Sequence, residues 1–400
     1  MTNRLVLLFA GVLLAFPLFA GAAPEEPDEI PTVRLSHSWT GAEGELFEPV
    51  LAAAEEELGI SITTTVLRHE DLVTLLPTQW RAERSPADVM AMRPGLAAEG
   101  AQQGHLVSVT DRIDPDDFVP GAAEVTVVNG ERYNVPYIQK TKPGFWYRRS
   151  FAEEHGLVIP ETWDEFMTLL ENLDQLDGMD APIASGNGDG WPLTDVVEHF
   201  LIAFGGPEMH VGLREGEISW TSDAVREVFA ERIVPLLEEG YFGEPTEWTT
   251  ALERWWAGDY GIYFMGSWIT GMVEDPEDLG VFMLPGTEAV VSHVDSWYVS
   301  DYAENRDAAL ELAEWLATEG QRIHVQQGGA TATYVEISPD IYPPAEQRIA
   351  EATAGLEPLV DLDDAIGGEF QSTFWGELQL LWVRPGQLDE ILETIEEDAP

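Results

Sequence analysis

ERYNVPYIQKTKPGFWYRR, residues 131–149, is the stretch whose reading decides the fold. Asn129-Gly130, just before it, is a tight-turn dipeptide, and Tyr133, Val135 and Tyr137 alternate as strand residues do. A short loop is expected next, and then a second, aromatic strand through Gly144, Phe145, Trp146 and Tyr147. That loop holds Lys140 and Lys142, the only two lysines among 400 residues. The plain reading is a solvated loop where two basic residues fell by chance. The sharper reading is a fixed ammonium needed where two halves of the protein meet.

Upstream, residues 33–36 read as a strand. A helix over about residues 43–58 follows, with Leu46, Phe47, Val50, Leu51, Ala54 and Leu58 on one face and Gly59 as its stop. The β-branched run 60–67 reads as a strand, residues 72–80 as a helix, and residues 87–92 as a short buried strand. This β-α-β-α-β order predicts an α/β fold with a parallel, doubly wound sheet and ligand loops at the strand C-termini.

Downstream, Thr162 and Glu165 form a capping box before the apolar face of Phe166, Leu169, Leu170 and Leu173. A glycine-rich loop over 185–191 precedes a helix near 196–203, and another helix is expected over 223–239. Residues 260–265 read as a buried strand ending in the turn Gly266-Ser267-Trp268, and 293–300 as a further strand. Asn305 is placed to cap an amphipathic helix bearing Leu312, Trp315 and Leu316. Helices over 371–383 and 387–397 end the chain.

The charge balance is extreme: 73 acidic against 20 basic residues, a formal net charge of −53. This excludes a general nucleic-acid binder, which needs a basic face to displace counterions from phosphate. With 14 Trp, 16 Phe and 10 Tyr the chain is built to pack a core, not to stay disordered. Such a charge repels itself in dilute buffer and is screened over about 3 Å in 1 M salt. The expectation is a halophilic protein that works in brine.

Arg4, the apolar run 5–19 and Ala20-Gly21-Ala22 read as a cleaved signal peptide over residues 1–23. With no cysteine there is no disulfide, no thiolate metal site and no lipid-modified cysteine. The expectation is a soluble periplasmic or extracytoplasmic protein, secreted and not lipidated.

Zinc-protease, P-loop, Gly-x-Ser-x-Gly and dinucleotide-binding motifs are absent. Asp361-Leu362-Asp363-Asp364 begins like a calcium loop but puts Ala365 and Ile366 where a ligand and the glycine belong, so it is rejected. No cofactor and no catalytic residue is assigned. The stronger signal is aromatic: Trp39, Trp191, Trp268, Trp297 and Trp375 fall near strand ends, helix starts or glycine-rich loops. Polar residues accompany them, with Glu43 near Trp39, Asp295 before Trp297, and Glu198 and His199 after Trp191. Flat aromatic faces beside carboxylates suit sugars, whose C–H faces stack while their hydroxyls need partners. For any one of these tryptophans, core packing is the competing explanation.

Residues 135–173, VPYIQKTKPGFWYRRSFAEEHGLVIPETWDEFMTLLENL, resemble the central signature of extracellular solute-binding proteins of the sugar class, which feed ATP-driven importers. HSWTGAEGE (37–45), SPADVMAM (85–92), AGDYGIYFMGSW (257–268) and VDSWYVSDYAENRDAALELAEWLATEGQ (294–321) are similar to other family segments in the same order. PIASGNGDGWP and the following EHF look closest to members that bind glucose or related small sugars. The resemblance implies two α/β lobes joined by crossing strands, closing over ligand by hinge bending. The first lobe would comprise 24–137 with 289–335, and the second 138–288 with 336–400. It implies a cleft walled by Trp39, Glu43, Arg93, Lys140, Trp191, Trp268, Asp295 and Trp297, with Trp375 also a candidate. Lys140 would donate to sugar hydroxyls or orient Glu43 or Asp295, and Ser267 would cap the helix presenting Trp268. The implied partners are a small-molecule sugar and the membrane permease subunits of an ABC importer, served by a monomer. Two other readings stay open: a secreted carbohydrate-active enzyme, and the same fold carrying a polyamine, peptide, metal ion or compatible solute.

Overall fold

Strand Thr32–His37 lies between Ser61–Val66 and Val89–Ala91 and runs parallel to both. The β-α-β-α-β unit therefore forms with its first strand innermost, as connecting helices demand of parallel strands. The computed structural model describes residues 30–400, so the expected signal peptide over 1–23 lies outside the described residues. The helix expected over 43–58 is two helices, Gly41–Glu45 and Glu48–Leu58. Pro49 explains the break: it has no N–H to donate back to Glu45 O, so the first helix's ladder cannot run on, and the new one starts with Val50 and Leu51 donating to Phe47 O. Gly59 ends the second helix in the left-handed conformation, φ 64°, and donates its N–H to Glu55 O.

Lys140 and Lys142 are not in a loop. Strand Val135–Lys142 runs through both, paired antiparallel with the long strand Ala289–Val299 as far as Val291 opposite Lys142. That distant partner satisfies backbone groups which a loop would leave to water. The turn is only Pro143-Gly144. Gly144 has φ +117°, and a Cβ there would meet Phe282 O at 2.4 Å, so no larger residue fits.

The chain then enters a second sheet. Phe145–Arg148 lies between Leu279–Phe282 and Tyr260–Phe264, antiparallel to each, and Tyr260–Phe264 pairs in parallel with Ala181–Ala184. Leu279–Phe282 leads back into Ala289–Val299, and Glu357–Val360 pairs in parallel with the start of that strand. Chain thus passes between the sheets at 143–144 and again at 283–288. One core gathers Val33, Leu35, Phe47, Val50, Val135, Tyr137, Leu312 and Leu316 under the first sheet. Another gathers Phe145, Phe166, Leu169, Leu170, Phe200 and Ile262 under the second. The capping box is formed: Thr162 Oγ1 accepts from Glu165 N, and Glu165 Oε2 accepts from Thr162 N at 3.1 Å. Asn305 occupies its cap position before helix Arg306–Trp315, yet its side chain instead donates to Thr32 O at 2.9 Å. It ties the helix to the first strand.

Candidate ligand-binding site

The loop after the first strand presents Trp39, and the short helix behind it presents Glu43. Strand Val135–Lys142 supplies Lys140 and strand Ala289–Val299 supplies Asp295. Register between those strands shifts between Val294 and Ser296, so Asp295 sits in a bulge, a device that re-aims a side chain. Lys140 Nζ donates to Glu43 Oε1 at 2.5 Å and lies 3.2 Å from Asp295 Oδ2. It also sits 5.3 Å from the Trp39 ring and 5.9 Å from the Trp268 ring, within cation–π reach of both. Burial alone would pull the ammonium down, but the charges of Asp295 and Glu43 outweigh it and hold Lys140 above the ordinary lysine value. Burial likewise pushes Asp295 up, and Lys140, His293 and Arg93 overcome it, keeping that carboxyl well below its usual range.

Trp268 stands in the 3₁₀ turn Ser267–Gly271, which follows strand Tyr260–Phe264. Ser267 does not cap that turn. Its hydroxyl accepts the N–H of Thr141 at 3.1 Å, fastening the strand of the two lysines to the second sheet's side. Trp191, at the start of helix Trp191–Gly205, lies 5.7 Å from the Trp268 ring and 5.8 Å from Trp248. Trp375, on helix Gly368–Val383, donates its indole N–H to Asp363 at 2.6 Å and packs against Gly190. Arg93 is ion-paired with Asp364, which also accepts from Gln371 at 2.8 Å.

Seven of the nine expected residues, Trp39, Glu43, Arg93, Lys140, Trp191, Trp268 and Asp295, thus join one charged and aromatic arrangement, and Trp375 flanks it. Trp297 shares the first core with Trp39 and does not touch Lys140. It is 1 % exposed and packs in the first core, its ring 5.4 Å from Tyr137, 5.6 Å from Phe47 and 5.7 Å from Trp39. It backs Trp39 from below. Tyr137 is also fully buried, its hydroxyl 2.8 Å from His324 Nδ1.

Sequence reasoning missed His69, His293, Trp248 and Asp364. His69 Nε2 is 3.0 Å from Ser38 Oγ, and burial together with the nearby Arg93 lowers its imidazole to about 3. It opens helix His69–Arg81, right after a parallel strand ends, and the rule that such ends carry ligand residues points to it. His293 sits 3.6 Å from Asp295 and 6.2 Å from the Trp268 ring. No local signal marks Asp364, which is 271 residues from Arg93. The whole arrangement gathers indole rings, two imidazoles and cations already matched to carboxylates. It suits an uncharged ligand with apolar faces and many hydroxyls, because a net ionic ligand would have to break those pairs.

Residues 38–323 match the family described as bacterial extracellular solute-binding protein. An uncharacterized ABC transporter extracellular-binding protein of Pyrococcus horikoshii is 46% identical over 374 residues, 93% of this chain and 89% of that one. A probable sugar-binding periplasmic protein of Brucella melitensis is 25% identical over 353 residues, 82% of each. In architecture the chain is similar to the solute receptor AcbH, described as specific for β-D-galactopyranose. The TM-score is 0.81 at 18% identity, covering 92% of this chain and 98% of that one. The raffinose-bound protein RafE aligns with TM-score 0.75 at 22% identity, covering 92% and 98%. The fold is therefore the mixed α/β, two-lobed one, and the chain belongs to the bacterial extracellular solute-binding protein family.

Proposed function

We propose that this chain is the extracytoplasmic receptor of an ABC-type importer, binding a mono- or short oligosaccharide between two hinged lobes and delivering it to the permease. The observation that carries this reading is Lys140, held between the Trp39 and Trp268 rings by Glu43 and Asp295. Three separate segments converge on one ammonium, leaving carboxylate edges and indole faces to meet hydroxyls and C–H faces. In this reading the lobes are 24–137 with 289–335 and 138–288 with 336–400, the second lending residues 138–142 and strand Glu357–Val360 to the first sheet. The chain acts as a monomer, and with no cysteine to lipidate it works free of a lipid tether.

The test is tryptophan fluorescence and melting temperature at several molar salt, across monosaccharides, oligosaccharides and osmolyte-type solutes. A saturable spectral change with one sugar, together with the rise in melting temperature that mass action requires, is the expected outcome. If every sugar fails while a charged or zwitterionic solute succeeds, the sugar assignment is lost and the fold stands. Release of reducing ends from an oligosaccharide would instead favour the enzyme reading. The net charge of −53 adds that the melting temperature rises from dilute buffer to molar salt, and a flat response would end the halophilic reading.

A further inference from the structure

Away from the cleft wall, the densest buried charge surrounds Lys142. Asp195 and Glu198 stand three residues apart on helix Trp191–Gly205 and so share a face. Asp361 follows strand Glu357–Val360. Asp195, Glu198 and Asp361 are 2 %, 0 % and 2 % exposed. Lys142 Nζ donates to Asp195 Oδ1 and to Asp361 Oδ2. Glu198 Oε2 accepts from Leu362 N at 3.0 Å and pairs with His210 Nε2 at 2.6 Å.

These bonds leave oxygens over. Among the described residues, Asp195 Oδ2, Glu198 Oε1 and Asp361 Oδ1 accept from no amide, hydroxyl or ammonium. Asp363, hydrogen-bonded to Asp361, and Asp364 each bring an oxygen within 4.8 Å of one on Asp361, and Asp363 Oδ2 already accepts from Trp375 and Gln371. Buried carboxylate oxygens without partners are costly, since each loses its water without replacement. When all three are ionised, three carboxylates facing one ammonium also leave two negative charges unmatched.

One carboxylate oxygen from each of the three residues lies within 4.8 Å of the others. That spacing fits oxygen ligands about 2.3–2.6 Å from a shared calcium-sized ion. An all-carboxylate donor set selects hard cations, and two unmatched charges call for a divalent one. We propose that Asp195, Glu198 and Asp361 form a binding site for a hard divalent cation, calcium in type, beside the Lys142 ammonium. This is not the loop motif that begins at Asp361, because two of its ligands come from a helix more than 160 residues earlier. The bound ion would clamp the helix that starts with Trp191 to the segment whose Asp363 holds Trp375 and whose Asp364 holds Arg93. Cation binding is thereby linked to the walls of the cleft.

The experiment uses the full chain at constant molar ionic strength. Metal content is measured as purified and again after unfolding with a chelator and refolding, followed by calorimetric titration and melting curves with CaCl2 and MgCl2. The expected result is one equivalent of calcium per chain, and a melting temperature that rises with calcium in the stripped protein. Magnesium should act more weakly. Glu198→Gln and Asp195→Asn should each weaken the stoichiometric site by at least tenfold, while Glu153→Gln, at an exposed acid, should leave it intact. Equal calcium responses in all variants would mean only a diffuse counterion atmosphere, and would overturn the proposal. So would a stability that follows pH and ignores calcium, with protons alone relieving the carboxyls. If both site variants fail to fold, the titration of stripped wild type decides, and absence of a saturable calcium heat refutes the site.

Discussion

Lys140 and Lys142 stand two residues apart on one strand, each bonded to two carboxylates, and each nearly shut off from solvent. Their partners differ. Glu43 and Asp295 keep 16% and 17% of their side chains open, whereas Asp195 and Asp361 keep 1% and 3%. An open carboxylate can exchange a bond with an arriving hydroxyl, while a closed one can serve only the fold or an ion small enough to reach it. In the proposed reading, identical residue types on one strand are divided between binding and architecture by what surrounds their partners.

The sharpest way to break this comparison is to remove each ammonium. Lys142→Ala leaves buried anions without their counter-charge, and a loss of about 3–5 kcal/mol of stability is expected in urea unfolding at constant molar salt. Unchanged stability would mean the cluster is neutral, and the contrast with Lys140 would collapse. Burial already holds the carboxyls of Asp195 and Glu198 well above the ordinary range, so the folded chain binds their protons more tightly than the unfolded chain does. Their contribution is accordingly greatest below roughly pH 4 and is lost as pH rises. The destabilisation in Lys142→Ala should therefore grow from acid toward neutral pH, and a deficit that shrinks instead would contradict this account.

Trp297→Ala should cost a similar roughly 3–5 kcal/mol, for a different reason: a large side chain is removed from the first core. Trp268→Ala should instead show its effect in ligand affinity. Finding that Trp297→Ala keeps its melting temperature and loses affinity would return Trp297 to the cleft. Lys140→Ala is expected to weaken ligand binding by about 1–3 kcal/mol, the range for a charged hydrogen bond, with the fold retained. Unchanged calorimetric affinity would remove Lys140 from the site. The smallest effect belongs to Arg93→Gln. Its side chain is 36% exposed, so its pair with Asp364 should contribute only about 0.2–1 kcal/mol, and less at high salt.

What the sequence determined by itself was local and ordered. Val135 and Tyr137 marked a strand, although Tyr133 falls before its start, Thr162 and Glu165 marked a helix start, Gly59 a helix stop, and ordered motifs a two-lobed α/β family. The element signals depend on spacings of two to four residues, which is the range over which backbone geometry repeats, while the family was read from the order of motifs along the chain. Only the tertiary structure decided the rest. Lys140 lies in a strand because a segment some 150 residues later pairs with it. Trp268 and Trp297 each follow a serine, yet one stands over Lys140 and the other packs in the first core against Trp39. Asp364 reaches Arg93, and Asp361 reaches Glu198's helix, only through the packing of the final third of the chain. Side-chain periodicity says which face of an element is buried, but pairing between distant elements says what that face meets.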